Sequence, residues 1–575
     1  VIEQFMWGYQ HLFRLSLKIE AKRAFDEVGF DVAPSVFIVG LQVAGQHQYS
    51  VCIEPEKGPY RPLDFASITA RAGDLYEQHP ERNTFHSDQA MHETYHRRLK
   101  REMQADAIAE VLNSGATGKR QRFFVGLPVR VGDYRVFIAL GIARDALDAV
   151  PTLNTRARDR IAITPSLVHA IVDEILQRAT KALYIPDAGA GLSVLDLSAQ
   201  EVVRTATRRF VRAVLFCAGS MFAENHDTLF SGVSALPYEG RSVVGSIVVA
   251  KPETSGLRIS MMLRDPVSIY DTRAVRKLME ACSPEVQLLM HDGNVYGLGC
   301  LTDGYDYSRE EAFVVAVLGR GAWELRHSGK SLLSVRDGIV RLPARPLEVE
   351  YFKDLLDRLL PDADVSVLLE LVEAASRNDH GAMLVVSADA AAEAKRLSPQ
   401  AWAIEPVKLD PGLILRLTAM DGAILLDPQG RCHAVGVIAD GRAAGQGDPS
   451  RGSRFNNAIR YLDSGGPPAI IVTFSTDGVI DILPRLRPRV SRRSVEEAVD
   501  RYVKLATVRP PELEDVNDAW EGVKILEFYL SRRQCDLLNQ KREALDEWRA
   551  QHSSIRLLER PLAPSDKMND RYWKD

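Results

Sequence analysis

Apolar residues recur along this chain with two periods, and the switches between them divide it. Over residues 1–25 they fall three to four positions apart, with Met6, Tyr9, Phe13 and Leu17 on one face, which predicts a helix. "SVFIVGLQV", "RFFVGLPVRV" and "YRVFIALGI", within 35–55 and 122–142, predict strands. Between them lies a polar, helix-forming stretch holding His86, His92 and His96. Together these make a first α+β unit ending near residue 155. "TPSLVHAIVDEILQRATKALYI" (164–185) is amphipathic and leads into a second region. There "TATRRFVRAVLFCAG" predicts a helix, "LFSGVSALPYEGRSVVGSIVVAK" predicts strands and "YDTRAVRKLMEACS" a further helix. Short strands and turns follow over 311–350.

From residue 351 helices and strands interleave. "YFKDLLDRLL" is helical until Pro361, and "DVSVLLELVEAASRNDHG" runs to Gly381. "GAMLVVSA" is an apolar strand; "ADAAAEAKRL" and "PGLILRLTAM" are helices. A hairpin is predicted from "GAILLD", the turn "PQGR" and "CHAVGVIA". After a Gly-rich loop, "SRFNNAIRYL" places Phe455, Ile459 and Leu462 on one helical face. "PAIIVTFS", a turn at Thr476-Asp477-Gly478, and "VIDIL" close the region. This order predicts a mixed sheet covered by helices. The chain therefore reads as an α+β and α/β multidomain protein. Its expected divisions are 1–155, a central 156–350, a third domain at 351–490 and a charged helical tail at 491–575.

Charge and composition narrow the function. The net charge of −5 argues against non-specific nucleic-acid binding, which needs a basic surface, so no DNA partner is expected. The six cysteines are widely spaced with no C-x-x-C pair, which suits reduced thiols. No run approaches the roughly 18 apolar residues of a membrane span, and no signal-type segment opens the chain. A cytoplasmic protein with no membrane contact is expected.

Chemistry concentrates at 421–478. Asp421 precedes an apolar strand, so its carboxylate should sit at the sheet edge, where it can hold Mg²⁺ or Mn²⁺ or orient a hydroxyl. Gly422 and Ala423 lack bulk and admit close approach of a ligand. Gly452 and Ser453 end a Gly-rich loop at a helix start, where free N–H groups favour phosphate. Arg454 adds a cationic fork suited to phosphate oxygens. Asn456 can donate a hydrogen bond, and Asp477 is a possible second carboxylate for metal. Asp-Gly pairs and Gly-rich loops are also ordinary turn chemistry, and no Walker A pattern is present here.

In order and spacing, "GAMLVV", "DGAILL", "GSRFNNA" and "AIIVTFSTDG" resemble the diadenylate cyclase (DAC) domain, the nucleotide-binding domain of the bacterial DNA-integrity scanning protein and of membrane-bound diadenylate cyclases. The resemblance covers residues 381–483. It implies that two ATP molecules, held by two facing domains of a homo-oligomer, condense into cyclic di-AMP and two pyrophosphates with a divalent metal. Carried over, Asp421 holds metal or orients the attacking hydroxyl, Gly422 and Ala423 lie against the nucleotide, and Gly452, Ser453 and Arg454 cradle phosphates. The family's Arg-His-Arg triplet reads Arg454-Phe455-Asn456 here. Two outcomes stay open: a working site whose metal is held by Asp421 and Asp477, or a catalytically inactive nucleotide-binding sensor. Upstream, "SGVSALPYEGRSVVGSIVVAK" and "TRAVRKLMEA" resemble sensor domains that precede divergent DAC domains, implying an unknown signal ligand at about 190–310; a dimerisation scaffold is the alternative reading of the same region.

Two other motifs compete. "HETYH" (92–96) fits H-E-x-x-H, in which His92 and His96 would bind zinc with Glu93 as base. The basic run that follows it reads instead as a solvated helix face. "SGKS" (328–331) lacks the upstream glycine of a phosphate loop and reads as a hairpin turn. His433, alone on an apolar strand, reads as structural.

Overall fold

The computed structural model describes residues 3–45, 47–155, 157–158, 161–191, 193–196, 198–221, 225–237, 245–283, 285–343, 347–376, 381–438, 453–474, 480–552 and 560–574. The chain forms two compact units, Val1–Ala344 and Arg345–Asp575. Mixed sheets and helices in both make it a multidomain α+β protein.

In the first unit the leading helix is Gln10–Glu27, burying Phe13, Leu17, Ala21 and Ala24 at three- to four-residue steps. Met6 is buried but precedes the helix. The strand Ser35–Gln42 lies between Val51–Glu54 and Tyr134–Ala143 in an antiparallel sheet that also holds Gln121–Val125 and Val129–Val131. Strand alternation sends Val36 and Ile38 to one face and Phe37 and Val39 to the other. The first face joins Phe13, Leu17 and the buried side of helix Leu167–Ala182. The second packs on Leu99, Met103 and Ile108 of helix Gln89–Ser114. The cluster on the first face runs on without a break through helix Ala199–Cys217 to Trp323 and Val335, so it spans both 1–155 and 156–350.

An eight-stranded sheet completes this unit, with Gly245–Val249 and Gln287–His291 as its parallel pair. "LFSGVSA", expected as strand, is helical within His226–Ala235. Its buried side chains explain why: His226, Phe230, Val233 and Ser234 recur at helical spacing. Ser328-Gly329 is the turn between Ala322–His327 and Lys330–Arg336, as the hairpin reading required.

The second unit is built on a six-stranded mixed sheet. Its order is Trp402–Lys408, Arg431–Val437, Ala423–Leu426, Ala382–Ser387, Ala469–Phe474, Ile480–Leu483. Ala382–Ser387 and Ala423–Leu426 run parallel; the other neighbours are antiparallel. Period-two alternation gives two cores. Leu384, Val386, Ile424, Leu426, Ile470 and Val472 face helices Val349–Leu359, Val365–Ala375 and Pro411–Leu417. Met383, Val385, Ala423, Leu425 and Ile471 face helices Ala390–Leu397 and Ser453–Asp463. A sheet covered on both faces requires its central strands to be apolar throughout, which is why "AMLVVS" carries no polar alternation. Helices Arg492–Thr507, Leu513–Ile525 and Arg532–His552 form a separate core around Tyr502, Trp520, Leu538 and Leu545.

Candidate functional site

The second covered face ends where the chain enters Ala423–Leu426 and where helix Ser453–Asp463 begins. Asp421 lies just before that strand with its carboxylate fully exposed. One of its oxygens accepts the Gly422 N–H at 3.1 Å. Arg454 Nη2 lies 3.7 Å from the same oxygen. The arginine is placed by a glycine: a Cβ on Gly381, at the foot of Ala382–Ser387, would come within 2.4 Å of Arg454 Nη1. The bare backbone there gives the guanidinium its seat. An exposed pair at this separation adds little to stability, so both groups stay available to a ligand.

Gly422 has a backbone duty as well. Its φ is +103°, and a Cβ would lie 2.5 Å from the carbonyl carbon of Gly436. The paired hairpin strands therefore have their backbones in close contact beside Asp421. Gly436, at φ +63°, is covered by Trp402, since a Cβ there would meet the indole at 2.5 Å. Trp402 is 63% exposed and offers a flat apolar face next to the Asp421-Gly422 turn. It opens an edge strand exposed along nearly its whole length, so no hydrophobic alternation announced it. Ala423 is wholly buried in the core below.

Ser453 is exposed at the first turn of its helix, where the leading N–H groups have no intrahelical partner. Phe455 is half-buried and its ring packs against the core of Val385, Leu425 and Ala458. Asn456 is half-buried on the same turn. Gly452 and Asp477, both expected at the site, lie outside the described residues. The structure thus brings Asp421, Gly422, Ser453 and Arg454 to one sheet end.

Two turns down the helix, the Tyr461 hydroxyl donates to Glu393 Oε2 at 2.7 Å, and Arg396 grips both Glu393 oxygens at 2.9 and 2.8 Å. Arg396, and after it Tyr461, hold the Glu393 carboxyl below the usual range despite its burial. Burial first, and the Glu393 charge second, push the Tyr461 phenol up. This network ties the helix that carries Arg454 to Ala390–Leu397. His433 Nε2–H donates to Asp427 Oδ2 over 3.0 Å, while Asp427 Oδ1 accepts the N–H groups of Gln429 and Arg431. That pair fixes the hairpin turn.

The H-E-x-x-H helix looks different. Tyr76 Oη lies 2.9 Å from His96 Nδ1 and the Thr84 carbonyl 3.0 Å from Nε2. Both ring nitrogens are thereby committed, Nε2–H donating to the carbonyl and Nδ1 accepting from the phenol. Glu93 accepts from Gln89. Among the described residues no group of three or more His, Cys, Asp and Glu is placed to hold a metal ion.

The family models that match this chain fall within the first unit. Residues 6–211 match the family described as "Probable sensor domain DACNG", and residues 226–329 match "Probable sensor domain DACNH". Both are sensor domains of the kind associated with diadenylate cyclases, so the chain is related to that class of protein through its N-terminal regions. The sensor likeness begins at residue 6 and so takes in the first α+β unit besides the central region. No curated protein matches the chain. Among solved structures it is similar to DacA from Staphylococcus aureus, a double mutant, with 16% identity over 26% of this chain and 95% of that one, at a TM-score of 0.19. A hypothetical membrane spanning protein from Bacillus cereus matches with 18% identity over 24% of this chain and 70% of that one, also at 0.19. Among the described residues no helix is long and apolar enough to cross a membrane.

Proposed function

We propose that residues 381–483 form a diadenylate cyclase site, that it condenses two ATP into cyclic di-AMP and two pyrophosphates, and that the sensor-like regions upstream regulate it. The observation that carries this reading is the meeting of Asp421, Arg454 and the Ser453 helix start at one sheet end, with Gly381 making room for the guanidinium. In the reaction the 3′-hydroxyl of one ATP attacks the α-phosphorus of the other. A new P–O bond forms, the bond to the β-phosphate bridging oxygen breaks, and the hydroxyl proton is lost. Arg454 offsets charge on the transferring phosphate, and helix N–H groups bind a second set of oxygens. Trp402 supplies an apolar surface for a base. Face-to-face catalysis calls for two such domains, hence a homo-oligomer at least during turnover.

The exposed Asp421 carboxylate, with one oxygen bonded only to its own turn, suits Mg²⁺ or Mn²⁺, which bind through one or two carboxylates plus substrate phosphates. Bound there, the metal would neutralise charge on the phosphates. Asp421, and Asp477 by the family resemblance, are the residues that would hold it.

A second reading has its own observation: where the family has a metal-associated histidine, Phe455 packs into the core. On that reading the domain binds ATP and does not turn it over. Incubation of the full chain with ATP and Mn²⁺ or Mg²⁺, with mass spectrometry of the products, separates the two. Cyclic di-AMP is expected. ATP recovered intact at every metal and protein concentration, together with calorimetric ATP binding, sinks the cyclase reading in favour of the sensor.

A further inference from the structure

The first unit carries a groove of about 640 Å³ that no chemistry above uses. Its size is within the range of about 300–1,000 Å³ typical of small-molecule sites. One wall is helix Gln89–Ser114, which presents His92, His96, Arg97 and Lys100 at helical spacing. The other wall holds Tyr76 and Phe85.

The groove's charge is unbalanced. Arg97 is exposed and has no ion-pair or hydrogen-bond partner among the described residues. Lys100 Nζ stands 5.2 Å over the Tyr76 ring, with no carboxylate partner among the described residues. Arg82, also on the lining, is already paired with Glu77 at 2.5 Å. Against these cations the lining contributes one carboxylate, Glu93. Two uncommitted cations three residues apart on a helix face suit a phosphate group.

The groove also offers rings. Phe85 is 79% exposed, and its ring centroid lies 5.3 Å from that of His92. His92 in turn lies 4.3 Å from His96. His92 Nδ1 is buried without a hydrogen-bond partner among the described residues, so it is the face of the His92 ring, not this nitrogen, that the groove offers a ligand. A metal ion is a poor occupant, because both His96 nitrogens are taken and two cations stand beside them.

We propose that this groove binds an organic phosphate bearing a flat ring, the phosphate on Arg97 and Lys100 and the ring against Phe85 and His92. It lies within the segment matching "Probable sensor domain DACNG", so such a ligand is a candidate signal. The binding site stands without the cyclase reading; only its regulatory use rests on that reading.

The test is calorimetric titration of the full chain with guanosine monophosphate, ribose 5-phosphate and inorganic phosphate. None of these is a substrate of the proposed condensation, so failure here and failure of the cyclase reading are distinguishable. Guanosine monophosphate should bind most tightly. Arg97→Gln with Lys100→Gln should weaken it at least about tenfold. Phe85→Ala should bring it down to the affinity of ribose 5-phosphate, and Arg454→Gln should leave it unchanged. All these side chains but Arg454 are exposed, so the groove variants are expected to fold, which circular dichroism checks. Absence of binding by every probe, binding indifferent to the double variant, or binding lost with Arg454→Gln would overturn the proposal.

Discussion

Two stretches of this chain carry motifs that promise chemistry, and the fold treats them in opposite ways. In "HETYH" His96 has both nitrogens engaged, by Tyr76 and by Thr84, which withdraws it from metal although His92 keeps an Nδ1 without a partner among the described residues. In "DGA" and "GSR" the exposed Asp421 carboxylate and the half-buried Arg454 guanidinium stand 3.7 Å apart, with no closer ion-pair partner among the described residues. What separates a helix-face histidine from a site residue is the state of its functional atoms, which are spent on neighbours in the first case and kept for a ligand in the second. Residue type and spacing do not distinguish the two.

The largest effects should come from removing the uncommitted groups. Asp421→Asn keeps the shape and deletes the charge, and turnover should fall by about 10²–10³-fold. Circular dichroism should be unchanged, because the carboxylate is solvated. Chelation of Mg²⁺ or Mn²⁺ should stop product formation as completely. Next is Gly422→Ala. The added Cβ meets the Gly436 backbone at 2.5 Å in a left-handed conformation, so the hairpin should lose about 1–3 kcal/mol or more. Hydrogen exchange across 423–437 would show it as faster opening, with the first unit unaffected.

Tyr461→Phe is smaller. It removes one hydrogen bond to a buried carboxylate and should cost about 1–2 kcal/mol, read in the same exchange experiment over 453–463. The same network predicts acid sensitivity. Glu393 has its folded value depressed below the ordinary 4.5, chiefly by Arg396. Its contribution is therefore fully present above the unfolded value. It fades as pH falls below 4.5 towards the folded value, and neutral pH should show no trend from this group. The smallest effect is expected at the contrasting motif. His96→Ala should leave turnover within about twofold of wild type, and added zinc should not stimulate any peptidase activity. A large fall there would mean that the committed histidine has a role the comparison denies it.

The legible parts of the fold were those with a periodic apolar face. Leu167–Ala182 and Ala199–Cys217 bury one helical stripe each, and the doubly buried strands Ala382–Ser387 and Ala469–Phe474 appear as nearly continuous apolar runs. Two edge strands, Trp402–Lys408 and Leu257–Ser268, were missed because they are exposed on most positions and so carry no alternation. "LFSGVSA" misled because seven residues of mixed polarity fit either period; only the burial of Phe230 and Val233 decides it. At the site, Asp421 and Arg454 were legible as chemistry. Their convergence was expected from the resemblance to the DAC domain, but its geometry was not legible, because it depends on the room at Gly381 and on the close backbone contact of Gly422 with Gly436. Trp402 was invisible as a site residue for the same reason its strand was.

The claim most worth testing is that Arg454 is held open for phosphate. Calorimetric titration of the full chain with ATP and Mg²⁺, carried out in the Arg97→Gln, Lys100→Gln background so that the first unit's groove does not contribute, addresses it under both the cyclase and the sensor reading. The account predicts at least a tenfold loss of affinity, about 1.4 kcal/mol, when Arg454→Ala is added. Equal ATP affinity with and without Arg454→Ala would contradict it.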